Sequence, residues 1–286
     1  MTDTNLVEIF CILDEFCKYL APELKKRSLE DSDKRHRNRP GLMSDSEIMT
    51  ILIIFHTRRF RDLKSFYLGY VCRHMRNEFP RTLSYNRFVE RQAQVGLHLL
   101  LFLQTCAFGK CTVISIIDSI PFVSCHIKRM YMHKTMKGLA AKGKCTMGWF
   151  YGFKLHLIIN DRGEDIQWQL TPGNVDNRKP LKNKYFTEKL VGKIFTDRGH
   201  ISQNLFEQLF VDDIQLVTRI EKNMKNSLMN LYDKLMLRKR AVIETVNDEL
   251  KNVCQNVHTR HRSVDNFATH LLAGMIAYNL LPKNQQ

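Results

Sequence analysis

The sequence predicts an α/β fold with a helical module ahead of it. Two short β-branched runs, Val113-Ile114-Ser115-Ile116-Ile117-Asp118 and Val191-Gly192-Lys193-Ile194-Phe195-Thr196-Asp197, each end on an aspartate. Apolar runs of that length, bounded by Gly109 and Pro121 around the first, read as buried strands. Between them, Trp149–Ile159 alternates in part, Asn160-Asp161-Arg162-Gly163 supplies a turn, and Ile166–Leu170 returns, which is the pattern of a β-hairpin. The first hundred residues instead carry apolar positions at helical spacing. Residues 1–107 are therefore expected to form a helical module and residues 108–286 the sheet-bearing domain.

The elements follow in order. Leu6, Ile9, Phe10, Leu13, Phe16, Cys17 and Leu20 predict a helix over 5–24. The charged stretch from Lys25 to Gly41 reads as a loop. Ser44 with Glu47 forms a capping box ahead of Ile48, Ile51, Leu52 and Phe55, so a second helix begins near Asp45. A third is predicted over Asp62–Met75. A fourth opens at Ser84 and runs to Ala107. Pro121–Cys125 is a separate short extended piece, and 126–144 a mobile basic loop broken by glycines. Lys182–Leu190 and Ile201–Phe210 are predicted helices, Ile214–Val217 a strand, and Leu231–Asn256 one long helix.

With 44 Lys+Arg against 29 Asp+Glu, the 286-residue chain carries a formal charge of +15. Such a balance favours a polyanionic partner, with nucleic acid ahead of an anionic membrane. No apolar run approaches the ~20 residues needed to span a bilayer. The acidic start, with Asp3, Glu8, Asp14 and Glu15, does not resemble a secretory signal, so a cytosolic protein is expected. The eight cysteines include no Cys-x-x-Cys pair and read as free thiols.

Basic residues cluster in two places. Ser84 as N-cap sets Tyr85, Asn86 and Arg87 in a first helical turn, where a recognition helix meets DNA; a capped, solvated helix start is the alternative. Lys128, Arg129, Lys134, Lys137, Lys142 and Lys144 follow directly after the Asp118 strand with no acidic residue among them. They suit phosphate contact, or else form a solvated face.

The carboxylates suggest chemistry. Asp118 would sit at the carboxyl end of its strand, where open α/β sheets place their ligand crevice. If the two strands are neighbours, Asp118 and Asp197 converge. On the long helix Arg240, Glu244, Asp248 and Lys251 fall at offsets of four, four and three, so they share a face. Alone, that pattern is also a ladder of ion pairs. A metal-dependent phosphoryl-transfer site gathers about three carboxylates from separate elements around two cations ~3.5–4 Å apart. Two strand-end aspartates and a helical glutamate meet that requirement.

Several local pieces point further: Ile116-Ile117-Asp118-Ser119, Trp149-Phe150-Tyr151-Gly152-Phe153-Lys154-Leu155-His156, Thr171-Pro172-Gly173-Asn174-Val175-Asp176, Thr196-Asp197-Arg198-Gly199-His200, and Arg240, three residues, Glu244, six residues, Lys251. In these the chain resembles the DDE transposases of bacterial insertion sequences, and among them the family named for insertion sequence 982. Leu237 stands where related transposases carry a tyrosine.

The resemblance implies an RNase H-like catalytic core with a mixed sheet behind a helical, DNA-binding module. It implies Asp118, Asp197 and Glu244 as catalytic residues and metal ligands, and Arg240 and Lys251 as DNA-binding bases. It further implies two Mg2+ ions, with Mn2+ as a substitute. The partners it implies are double-stranded DNA, as element terminal inverted repeats and as target, and a homodimer on paired ends, in the nucleoid of a bacterial cytoplasm. A nuclease of the same fold without strand transfer, and a non-catalytic DNA-binding relic, are the alternatives.

Overall fold

The computed structural model describes residues 3–30, 41–145, 148–197, 199, 202–218, 230–239, 241–253 and 261–281. The chain divides into two compact units, Met1–Ala107 with Leu250–Leu281, and Phe108–Glu249.

The first unit is helical. Helix α1 (Asp3–Glu30) runs past Lys25, where a loop was expected, and contains Pro22. The charged residues after Pro22 are good helix formers, and Glu23 pairs with Lys26 at 3.0 Å one turn on. Helix α2 (Asp45–Thr57) starts on the expected capping box. The Glu47 N–H donates to Ser44 Oγ at 3.1 Å, and the Ser44 N–H donates to Glu47 Oε2 at 2.6 Å. Because Ile48 through Phe55 are buried on every side, α2 is the unit's central element.

Leu63–His74 is helical with a wide turn over Phe66–Val71, capped by Asp62. The expected helix from Ser84 to Ala107 is broken at Val95 into α3 (Tyr85–Gln94) and α4 (Gly96–Phe102). Ser84 takes the extended N-cap conformation without a side-chain cap bond.

The helix Val264–Leu280 belongs to this unit, so residues 250–281 group with 1–107 and not with the sheet. Its residues from Leu271 to Tyr278 are buried, and that all-round apolar surface packs against α2 and α4. No helix among the described residues is long and apolar enough to cross a membrane.

The second unit is built on a six-stranded mixed sheet of order β2-β3-β1-β5-β6, with β4 also paired to β3. Strand β1 (Ile114–Cys125) pairs antiparallel with β3 (Gly148–Asn160) and parallel with β5 (Gly192–Phe195). Strand β5 pairs parallel with β6 (Ile214–Val217), which has its expected bounds. Strand β4 (Asp165–Pro172) returns from β3 as the expected hairpin.

Two expectations are corrected here. β1 does not end near Asp118 but continues through Pro121 to Cys125, so Asp118 lies mid-strand. The parallel pairing with β5 stops at Ile116, leaving β1 a strand partner on one side only, and such an edge tolerates proline. Nor is 126–144 one irregular loop. A 3-10 turn (Ile127–Met132) leads to strand β2 (Ala141–Cys145), which pairs with β3. Gly143 allows this, because a Cβ there would meet the Gly173 carbonyl and the Phe150 ring.

Helix α5 (Gln203–Val211) is capped by Ser202, and with Leu181, Phe186 and Leu190 it covers one face of the sheet. The helix expected over Lys182–Leu190 shrinks to short turns at Pro180–Lys182 and Lys184–Thr187. That face holds Ile117, Ile158, Ile166, Ile194, Ile214 and Leu216. Within the expected long helix, Leu231–Lys239 (α6) and Ala241–Asp248 (α7) are helical and a wide turn follows over Glu249–Val253. Residues 254–256 lie outside the described residues.

Candidate active site

The position of the carboxylates follows from strand register. Ile116 on β1 pairs with Phe195 on β5 in parallel. Asp118 lies two residues further along β1, by strand alternation on the face opposite to Ile117, and Asp197 lies two residues past Phe195, just beyond the end of β5. Gly192 sets the alignment: it has φ +87°, and a Cβ there would meet the backbone and side chain of Val113. The Lys193 N–H closes the start of the pair by donating to the Val113 carbonyl at 2.8 Å.

The third carboxylate comes from α7, which packs against β1. Ile243, Val246 and Asn247 are buried, whereas Glu244 is exposed. Asn247 Nδ2 donates to Asp118 Oδ2 at 2.8 Å, and the Ser119 N–H donates to Asp118 Oδ1 at 2.8 Å. Glu244 lies three residues before Asn247 on the same helix, about one turn away. Asp197 is exposed beyond the end of β5. α6 is tied to β5 by Lys193 Nζ and Asp233 Oδ1 at 2.7 Å, a half-buried pair.

Among the described residues no three His, Cys, Asp or Glu side chains stand close enough together to hold a metal ion. The donor types are those a hard cation takes: a carboxylate on β1, one beyond the end of β5 and one on α7, with the buried amide oxygen of Asn247 left without a hydrogen-bond partner among the described residues. Two clefts, one of about 300 Å3 lined by Trp168, Gln169, Asn183 and Tyr185 and one of about 440 Å3 lined by Lys184, Glu188 and Asp212, include none of the three carboxylates.

The basic residues are distributed differently from the sequence reading. Lys128, Arg129, Lys134, Lys137, Lys142 and Lys144 are all exposed. Lys142 Nζ lies 4.3 Å from the centre of the exposed Trp149 ring and Lys144 Nζ 5.8 Å, so strand alternation puts both on one outward face. Arg87 is exposed and pairs with Glu90 at 2.7 Å. Lys251 lies in the wide turn after α7, whose altered period removes the simple helical spacing that put it on Glu244's face. Arg240, Arg198 and His200 lie outside the described residues.

Two of the quoted motifs meet on the sheet. Lys154 Nζ donates to the Val175 carbonyl at 2.9 Å and to Asn177 Oδ1 at 3.0 Å. His156 Nε2 lies 2.9 Å from Thr171 Oγ1, both buried. Burial lowers the Lys154 pKa. The Arg178 guanidinium, bonded to Asp176, holds that carboxyl well below the usual range. These motifs therefore brace β3 against β4 and the loop after it.

Residues 108–264 match the model of the transposase DDE domain. The chain belongs to this family. DDE domains of transposases use divalent metal ions as a class. The fold of this DDE-domain protein is similar to that of the piggyBac transposase in its synaptic complex with hairpin DNA, with a TM-score of 0.50 and 13% identity over 96% of this chain and 72% of that one. With the mixed sheet order, that likeness makes the core RNase H-like. The Mos1 transposase of a strand transfer complex aligns over 87% of this chain and 88% of its own at 12% identity, with a TM-score of 0.25, too low to bear on the fold. No curated protein matches the sequence.

Asn247 was not reachable from the sequence. An asparagine on a predicted helix face gives no signal until the strand it touches is known.

Proposed function

We propose that this DDE-domain protein is a transposase of a bacterial insertion sequence, of the type named for insertion sequence 982, that cuts at the ends of its element and joins them to target DNA. The observation that carries this reading is the Ile116–Phe195 register. It supports reading Asp118 on β1 and Asp197 just beyond β5 as parts of one site, and the Asn247–Asp118 bond supports adding the helix of Glu244 to it.

In this reading the three carboxylates hold divalent magnesium, two ions or manganese in their place. The metal supplies activation of the attacking oxygen and stabilisation of the leaving one. The protein's own residues position the phosphate. Arg240 and Lys251 contact phosphates near the carboxylates. The bases of the 3-10 turn and of β2 contact the flanking duplex, and the helical module with Arg87 engages the element end. An open surface suits a polymer better than the two clefts would, and a net charge of +15 suits a polyanion. The fold neighbour in a synaptic DNA complex supports duplex DNA as the partner, and handling two ends together favours a homodimer.

The test is incubation of the full chain with its element's end DNA and a target plasmid, with and without magnesium. Magnesium-dependent nicking at the end and covalent joining are expected. Asp118→Asn, Asp197→Asn and Glu244→Gln should each abolish both while duplex binding persists. Nicking without joining would leave a nuclease, and binding without nicking a relic. Near wild-type cleavage by any of the three variants removes that residue from the site.

A further inference from the structure

We infer that Asn247 is a positioning residue that fixes the Asp118 carboxylate, an inference that rests on reading Asp118 as a metal ligand of a DNA-cutting site. Asn247 is 7% exposed, and its Nδ2 donates to Asp118 Oδ2 at 2.8 Å. Its Oδ1 is buried with no hydrogen-bond partner among the described residues. The opposite orientation of the amide would set oxygen against oxygen at that distance, so the chemistry selects the one with nitrogen toward the carboxylate.

A buried acceptor left unpaired costs stability. Its neighbours on the inner face of α7 and in the turn after it, Ile243, Val246 and Leu250, are apolar and carry no such cost. A leucine at 247 would fill a similar volume without it. What the amide offers that leucine lacks is the donor to Asp118.

The two oxygens of Asp118 are addressed by different fixed donors, Asn247 Nδ2 from the helix and the Ser119 N–H from the strand. Bonding both oxygens sets the plane of the carboxylate and stops it rotating about χ2. The same bond ties the helix of Glu244 to the strand of Asp118. Removing a donor that orients a ligating carboxylate typically changes metal affinity or activity by about 10–100-fold.

The experiment compares Asn247→Leu, Asn247→Ala and Asp118→Asn in the full chain. It measures Mn2+ binding by electron paramagnetic resonance, the magnesium concentration for half-maximal cleavage of end DNA, and the melting temperature. Leucine removes the orphan oxygen and fills the space, so that variant should melt at the wild-type temperature or above. Alanine leaves a void and should melt lower. Both should bind Mn2+ about 10–100-fold more weakly and need correspondingly more magnesium. A loss confined to the alanine variant, tracking its melting temperature, would mean that the residue only packs. Wild-type Mn2+ binding in both Asn247 variants, with binding abolished in Asp118→Asn, overturns this inference and leaves the site intact. Wild-type Mn2+ binding in Asp118→Asn, or none in the wild type, overturns the site reading and this inference with it.

Discussion

The helical unit should lose stability in mild acid. His56, His261 and His270 pack together inside it. His270 Nδ1 lies 3.3 Å from His56 Nε2, and the His261 and His270 ring centres are 4.7 Å apart. Burial, reinforced by the neighbouring His56, lowers the His261 pKa from 6.5 to about 4 and holds His270 well below its ordinary value. The folded state therefore keeps His261 and His270 neutral, whereas in the unfolded chain they take up protons below about 6.5. Above that pH neither state is charged and stability is unaffected. As pH falls below it, the unfolded state alone gains protons and stability drops, until the folded pKa is reached. For His261 alone the loss is about 1 kcal/mol at pH 5.5 and about 2–3 kcal/mol at pH 4.5, by linkage between those two pKa values. His270 adds to it in the same direction. The depressed carboxyls of Asp14 and Asp62 act in the same unit but at lower pH, since their contribution persists until pH falls below their unfolded value of 3.8. Urea unfolding followed by circular dichroism at pH 7.5, 6.5, 5.5 and 4.5 reads the slope directly. A His261→Gln/His270→Gln double variant should flatten it between pH 6.5 and 4.5. A wild-type midpoint that does not move over that range, or a slope unchanged in the double variant, refutes the reasoning.

Two further outcomes are expected. Replacing Lys142 and Lys144 by glutamine should weaken binding to all duplexes alike and lower the salt slope by roughly 0.9 log units for each phosphate no longer neutralised, without changing the melting temperature; an unchanged slope in a salt titration would make this face a solvated surface. Gly192→Ala forces a side chain into a left-handed conformation, about 1–2 kcal/mol, and against the Val113 backbone. It should therefore lower the melting temperature and slow cleavage by misaligning β5, whereas the exposed neighbour change Val191→Ala should do neither, and a cleavage rate equal to wild type in Gly192→Ala would show that the register tolerates the shift.

Short-range physics was legible in the sequence. The Ser44–Glu47 capping box, the hairpin through Asn160–Gly163, the strand Ile214–Val217 and strand character in the two β-branched runs each depend on residues a few positions apart, and the chain forms them, though the first strand runs past its expected end. The candidate carboxylates are nominated on the same local grounds, since in the sequence each ends or lines a strongly patterned segment. Long-range partners decided the rest. Pro121 has the look of a strand end until β3 pairs alongside it on an otherwise open edge. The lysines around Gly143 have the look of a loop, because their outward charge hides a strand held by a glycine contact thirty residues away. Val264–Leu280 joins the helical unit because its partner is α2, some two hundred residues earlier. Asn247 acquires meaning when Asp118 is placed beside it. Propensity and periodicity report what a segment can do alone; register, burial and the neighbour across the sheet exist only once the chain has closed on itself.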